Sequence, residues 1–572
     1  MSFSDIAYRA LQDVVGKENL TNDPVMCQSY SRVQWTADGC VQRSQLGTKM
    51  RPDCVVLPQS TEEVQAIIKL ANRYDFFFIP RGSGMINSAF PNPGQAMMGK
   101  GVVIIDPKRM DRILKVDANN MYAVIEPYVS FASLQAEAMK VGCTVPTPPA
   151  GAQISALANI QWHGAYGTSW LAALGANQLL AFELVLPNGE LLRRGSIAQE
   201  GSDDWIWNDG PGPDLRGFQR GAQFSHAGGM GMVTKISTRL FPWPGPSTFP
   251  TSGNALMKES HFPKDKVRWY MIDFPKAIKP YPENEEKQLR WACDLHYEIA
   301  RAELAIVVQH NAKQFMWTWA ARTKEEFHKG ANEDFFPHGY NIVALAALTS
   351  VEQLDYEEKV LQHIVDKMGG SFLSENSPDP MDRERYKVWM RITNDWIRVG
   401  HSMRLSRPSD CFHQGTACLD SIDTVAEEIL RANRIQRERR AKGEGSHLLP
   451  ISFHGGWISP TEKGYGALMT TDLWPEQEPA KASEAITFLL GNLKEWVKTK
   501  SAASTVVLLG PVYDLLGPQF FNVSMMRSGA MTVPEGVDVA VGAGVFVAGN
   551  GVSGGTASST CRSSPCALHT AV

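Results

Sequence analysis

The chain has 572 residues, 43% apolar and 20% charged, with a formal net charge of -4. That length exceeds one compact core, so two or three domains are expected. The charge balance offers no general attraction to nucleic acid or to an anionic membrane, and no run of about eighteen apolar residues predicts a membrane span.

The start, MSFSDIAYRALQDVVGKENL, predicts a short amphipathic helix with Ile6, Leu11, Val14 and Val15 on its apolar face. It lacks the charged region and apolar core of a signal peptide. Nine cysteines, scattered from Cys27 to Cys566 without a repeating spacing, do not form a secreted disulfide framework. A reduced, cytoplasmic setting is expected.

RPDCVVLPQSTEEVQAIIKLANRYDFFFIPRGSG reads as strand, helix and strand. Ser60 and Glu63 make a capping box, and Val64, Ile67, Ile68 and Ala71 repeat at helical spacing. GVVIID, RILKVD and YAVIEP are short β-branched runs, and SFASLQAEAMKVG is a helix begun by Ser130 and closed by Gly142. These predict a first α+β unit ending near residue 147. In a second unit, LAFELVLPNGELLRRG is a hairpin pivoting on Asn188-Gly189. The proline-rich FPWPGPSTFP reads as a domain boundary, and longer helices alternating with strands follow to about residue 505. From Val539 to Thr560 there is no charged residue, and such a Gly/Ala/Val/Ser mixture predicts poor order beyond about 535.

IPRGSGMINSAF raises the main chemical question. Glycines just past a strand supply either an ordinary turn or a run of N–H groups for a phosphate, and these residues alone fit both. Three further segments follow in order: GVVIIDPKRMDRILKVDANNMYAVIEPYVSFASLQ, AGAQISALANIQWHGAYG and GPGPDLRGFQRGAQFSHAGGMGMVTK. Together the four resemble the FAD-binding module of the vanillyl-alcohol oxidase and p-cresol methylhydroxylase (PCMH) family across roughly residues 50 to 246.

The resemblance implies an α+β fold: a PCMH-type FAD-binding domain of two α+β subdomains (50–246) after a helical lead (1–49), then an α+β cap or substrate domain (247–505) and a C-terminal segment (506–572). It implies that Pro80, Arg81, Gly82, Ser83 and Gly84, with Met85 and Ile86, form the pyrophosphate loop. It also implies flavin contacts from Gly151, Ser155, Asn159, His163, Gly164, Tyr166 and Gly167, and adenine-end contacts from Gly231 and Val233. Relatives that attach the flavin through the first loop use a histidine near the place of Met85, so FAD is expected to be bound non-covalently, with attachment through a cap histidine, as in some relatives, the open alternative. The family's Asp-Pro-x-Gly near the C-terminus is missing.

The implied chemistry is hydride transfer to flavin from an alcohol, a 2-hydroxy acid or a para-alkylphenol, with an unidentified electron acceptor. A small-molecule substrate, no nucleic acid and a homodimer are the matching expectations for partners. Two alternatives stay open: a non-redox flavoenzyme resembling the ether-lipid synthases, and a flavin-binding electron-transfer subunit. In the cap, SHLLPISFHGGW suggests a strand ending in His454 beside two glycines, a candidate catalytic base that reads equally as a core histidine. Arg391, Arg398 and Arg404 fit a carboxylate clamp or a solvated helix face, and Cys411, His413 and Cys418 lack the second cluster a metal would need.

Overall fold

Ser60 opens the first long helix, Thr61–Tyr74, by accepting from Glu63 N, while the Glu63 carboxylate reaches back to Gln59 N at 2.8 Å. The computed structural model describes residues 3–30, 51–83, 100–146, 154–162, 168–172, 175–206, 231–248, 250–252, 259–279, 283–313, 335–390, 414–445, 456–464 and 466–473, with isolated positions elsewhere. Val64, Ile67, Ile68 and Ala71 of the helix are all buried. They cover a sheet in which Cys54–Val56, Gly101–Ile105 and Phe76–Pro80 run parallel in that spatial order.

The N-terminal lead is built into this layer. Leu20–Thr21 pairs antiparallel with Cys54–Val56, and helix Asp5–Val15 buries Ala7, Leu11 and Val15 against the same core. Ile6, expected on the apolar face, is 67% exposed; Ala7 takes the inward position.

The division between the two flavin-domain units falls earlier than residue 147. Ile113–Asp117 and Tyr122–Ile125 join a five-stranded antiparallel sheet with Met232–Arg239, Leu179–Val185 and Leu191–Arg194. Helix Phe131–Lys140 packs on this second sheet. The pairing of Tyr122–Ile125 with Met232–Arg239 spans more than a hundred residues and leaves no local period to read. The hairpin forms as expected, with Gly189 at φ +83° and its N–H on Leu186 O. Glu183 ties the layers together: it is buried and accepts from Thr61 Oγ1 at 2.7 Å, Lys235 Nζ at 2.7 Å and Arg193 Nε at 3.1 Å.

The cap is one eight-stranded sheet. Its spatial order is Ser371–Leu373, Val267–Asp273, Tyr340–Ala346, Val307–Asn311, Trp457–Thr461, Gly466–Leu473, Gln414–Asp420 and Ser504–Thr505. Val308, Val343, Leu345 and Ile272 face the helices Glu285–Arg301 and Val351–Lys367. The opposite face, with Met271, Ile342, Ala344 and Ala346, clusters with Met139 and Trp243 of the flavin domain. Late in the chain, Ala540–Val541 pairs with Val545–Phe546; the rest of the low-complexity tail lies outside the described residues.

Candidate flavin site and the cap face above it

In an open parallel sheet, ligands bind at the carboxyl ends of the strands. The last rung here is Arg81 N–H to Ile105 O at 2.8 Å. Pro80 has no N–H, so the donors that the loop can offer to an anion begin at Gly82. Neither Gly82 N–H nor Ser83 N–H has a partner among the described residues. A Cβ on Gly82 would stand 2.9 Å from Ala158 Cβ and 3.5 Å from Ser155 Cβ. The glycine is therefore required by close approach, and the contact joins two of the motifs that the sequence keeps far apart.

Ser155 is 1% exposed and already committed: its hydroxyl donates to Pro127 O at 2.6 Å and accepts from Ala158 N at 3.0 Å. It shapes the turn into helix Ala156–Trp162. Asn159, one turn on, is 6% exposed and its Oδ1 has no hydrogen-bond partner. A buried amide oxygen left unpaired costs about 1–3 kcal/mol unless a ligand supplies a donor. An FAD bound along this edge fits both the unspent loop N–H groups and this oxygen.

Gly231 sits at φ +97°, and a Cβ there would lie 1.8 Å from Val185 O. It must be glycine for the fold alone. Val233 points into the core of the antiparallel sheet, 4% exposed. The strand Met232–Arg239 pairs with Leu179–Val185 along most of its length but with Tyr122–Ile125 only from Ile236 onward. Among the described residues, the backbone of 232–235 thus has a ladder partner on one edge alone. Gly84, Met85, Ile86, Gly151, His163, Gly164, Tyr166, Gly167 and His454 lie outside the described residues, as do Arg391, Arg398, Arg404, Cys411 and His413. The strand described after His454 begins at Trp457.

The cap face toward the flavin domain carries polar groups that the sequence reading missed. Asn311 stands opposite Tyr340 on one side and Trp457 on the other. Asn311 and Tyr340 are fully buried, and Asn311 Nδ2, Asn311 Oδ1 and Tyr340 Oη have no hydrogen-bond partner among the described residues. The same holds for the indole N–H groups of Trp269 and Trp389 in the same cluster. Helix Ser169–Ala172 packs on Trp457–Thr461 and Val307–Asn311. Leu171 of that helix packs against this cap face, alongside Met139 and Trp243.

Behind Tyr340, the His338 ring lies 4.8 Å from the phenol ring and His338 Nε2 is 2.8 Å from Asp273 Oδ1. Asp273 also pairs with Lys279. Burial works to raise the Asp273 carboxyl, but the His338 hydrogen bond and the Lys279 charge outweigh it and hold the group below the usual carboxylate value. Burial pushes the Tyr340 phenol well above 10, so it stands ready as a donor. The only sequence trace of this site is polar residues inside strands otherwise apolar, VVQHN and YNIVALA, where alternation cannot say which face is functional.

Residues 52–195 match the family of FAD binding domains. The chain is 28% identical over 300 residues to the mitochondrial D-lactate dehydrogenase [cytochrome] of Arabidopsis thaliana, covering 49% of each chain. It is 25% identical over 245 residues to the 4-cresol dehydrogenase [hydroxylating] flavoprotein subunit of Pseudomonas putida, covering 42% of this chain and 43% of that one. The matches thus span about half the length of these curated relatives or less. A solved structure of p-cresol methylhydroxylase with substrate bound superposes with a TM-score of 0.66 over 91% of this chain and 92% of that one, at 17% identity.

Proposed function

Starting from an FAD binding domain at residues 52–195 within a p-cresol methylhydroxylase-type α+β fold, we propose that this protein is an FAD-dependent oxidoreductase acting on a hydroxyl-bearing organic substrate. The flavin, when bound, supplies the acceptor for a hydride. Gly82 and Ser83, followed in sequence by Gly84, Met85 and Ile86, bind the pyrophosphate through main-chain N–H groups. Asn159 offers its unpaired Oδ1 to a flavin donor, and the open edge of 231–235 serves the adenine end. Met85 has no nucleophile with which to attach the cofactor.

The observation that carries the reading is the cross-strand register of Tyr340 and Asn311, whose phenol and amide both lack hydrogen-bond partners among the described residues, on a buried and largely aromatic cap face. A phenol and an amide side by side can donate to and accept from one substrate hydroxyl. Trp269, Trp389 and Trp457 would wall an apolar body. His338, fixed by Asp273, holds the Tyr340 ring through stacking and so orients the phenol. The lining seen among the described residues suits a hydrophobic alcohol or para-alkylphenol; a small 2-hydroxy acid would in addition need a cation for its carboxylate.

Anaerobic addition of alcohols, 2-hydroxy acids and para-alkylphenols should bleach the flavin with one of these classes, and the electron acceptor then follows from reoxidation. Tyr340→Phe should slow bleaching roughly 10- to 100-fold, the effect of one lost hydrogen bond to substrate. If FAD is bound and no compound bleaches it, the oxidoreductase reading fails and a non-redox role takes its place. Bleaching by 2-hydroxy acids alone would overturn the substrate preference only.

A further inference from the structure

The segment ahead of the matched domain reaches the glycine loop. Tyr30, which ends helix Pro24–Ser29, donates from its hydroxyl to Asp106 Oδ2 at 2.8 Å and accepts from Lys108 Nζ at 2.8 Å. Lys108 Nζ is also 3.3 Å from Asp106 Oδ2, so this cation and this carboxylate offset each other. Asp106 directly follows the strand Gly101–Ile105, at the carboxyl end of the parallel sheet. The Tyr30 ring is therefore pinned at the edge where the loop leaves the sheet. Arg81 lies across it, with Cζ 4.6 Å from the ring centre. The Arg81 guanidinium has no carboxylate partner among the described residues, unlike Lys108.

We propose that Arg81 is a phosphate-binding cation of the FAD site and that Tyr30 is its positioning residue. A guanidinium held over an aromatic face keeps N–H groups free for an anion, and the contact removes rotamers that would otherwise be lost on binding. Arg81 is fixed at both ends, by its N–H on Ile105 O and by its side chain on Tyr30. It immediately precedes Gly82 and Ser83, the first unspent N–H donors of the loop. An ionised diphosphate there meets two main-chain dipoles and one uncompensated charge. The Lys108–Asp106 pair acts on Tyr30 rather than on the ligand. The site is then incomplete without residues that lie outside the 52–195 match.

This inference rests on the placement of FAD at the glycine loop, and the experiment separates the two. Full-length protein freed of flavin is titrated with FAD, following quenching of flavin fluorescence at low and high salt. Gly82→Val reports on the site itself: an unchanged Kd would remove FAD from this loop altogether. With that control behaving, Arg81→Met should raise Kd about tenfold and flatten its salt dependence. Tyr30→Leu should raise Kd by a similar factor, while Tyr30→Phe, which keeps the ring, should raise it less. In the Arg81→Met background, Tyr30→Leu should add almost nothing, because both act through one guanidinium. An undiminished effect in that background, or a Tyr30→Leu Kd equal to that of the wild type with thermal stability alone reduced, would leave Tyr30 a packing residue and overturn the proposal.

Discussion

Two glycines show how differently the same residue type can be required. Gly82 carries no strained dihedral; a Cβ there would stand 2.9 Å from Ala158 Cβ, which rides on the backbone of helix Ala156–Trp162, so the loop or the helix would have to move. Gly231 combines φ +97° with a carbonyl oxygen at 1.8 Å from the would-be Cβ, and that oxygen belongs to the paired strand Leu179–Val185. Neither backbone can give way without breaking the ladder. Gly231→Ala should therefore destabilise the flavin domain by about 3 kcal/mol or more, read from the midpoint of urea unfolding. Gly82→Ala, with one close contact and no strained dihedral, should cost less stability than Gly231→Ala and should lower FAD affinity as well. Equal midpoints for wild type and Gly231→Ala would contradict this account of the strand's start.

At the level of elements, the cap's layers set a pH dependence. His296 on helix Glu285–Arg301 and His310 on strand Val307–Asn311 are buried on the helix-covered side of the sheet, next to Asn341 on the neighbouring strand. Burial pushes His296 down to about 3 and His310 down to about 4, each pressed further by a neighbouring imidazole. Both are neutral in the folded state, while the unfolded chain takes up protons from about pH 6.5 downward. The stability they contribute is complete above that value and falls as pH drops toward the folded pKa values. Denaturation midpoints should thus decline between pH 6.5 and about 4, and His296→Leu should flatten the decline; a slope unchanged in that variant would refute the assignment. None of this was legible beforehand, because it depends on which helix lies over which strand. What local chemistry does determine was legible: the caps Ser60 and Ser130, the Asn188-Gly189 turn and the apolar face of Thr61–Tyr74. Strand partners were not, since Tyr122–Ile125 finds its neighbour only through the chain's global path. The polar cap face escaped for the same reason, as Asn311 and Tyr340 become a site only when register sets them opposite each other.

Across the whole molecule, the two halves interlock rather than merely touch. Trp170 falls within the FAD binding domain by sequence, yet its side chain is fully buried in the cap core with Ile272, Leu295, Val308 and Val343. Its indole N–H donates to Leu304 O at 2.8 Å, just ahead of the strand that carries Asn311. A second link, Asn177 Nδ2 to Glu462 Oε1 at 2.9 Å, is exposed and contributes far less. The short helix bearing Trp170 also lays Leu171 against the opposite face of the cap sheet, so it anchors the matched domain to both faces of the cap. Trp170→Ala should cost about 3–5 kcal/mol through the cavity it leaves. Trp170→Phe keeps most of the apolar burial but strands the Leu304 carbonyl, at about 1–2 kcal/mol. In calorimetry both variants should lower the transition in which the cap unfolds, in that order of severity. FAD affinity should change little, because the loop at 82–83 lies on the other sheet. Should Trp170→Ala weaken FAD binding while the cap transition stays in place, the indole would belong to the flavin domain's own stability, and the interlocked arrangement would be wrong.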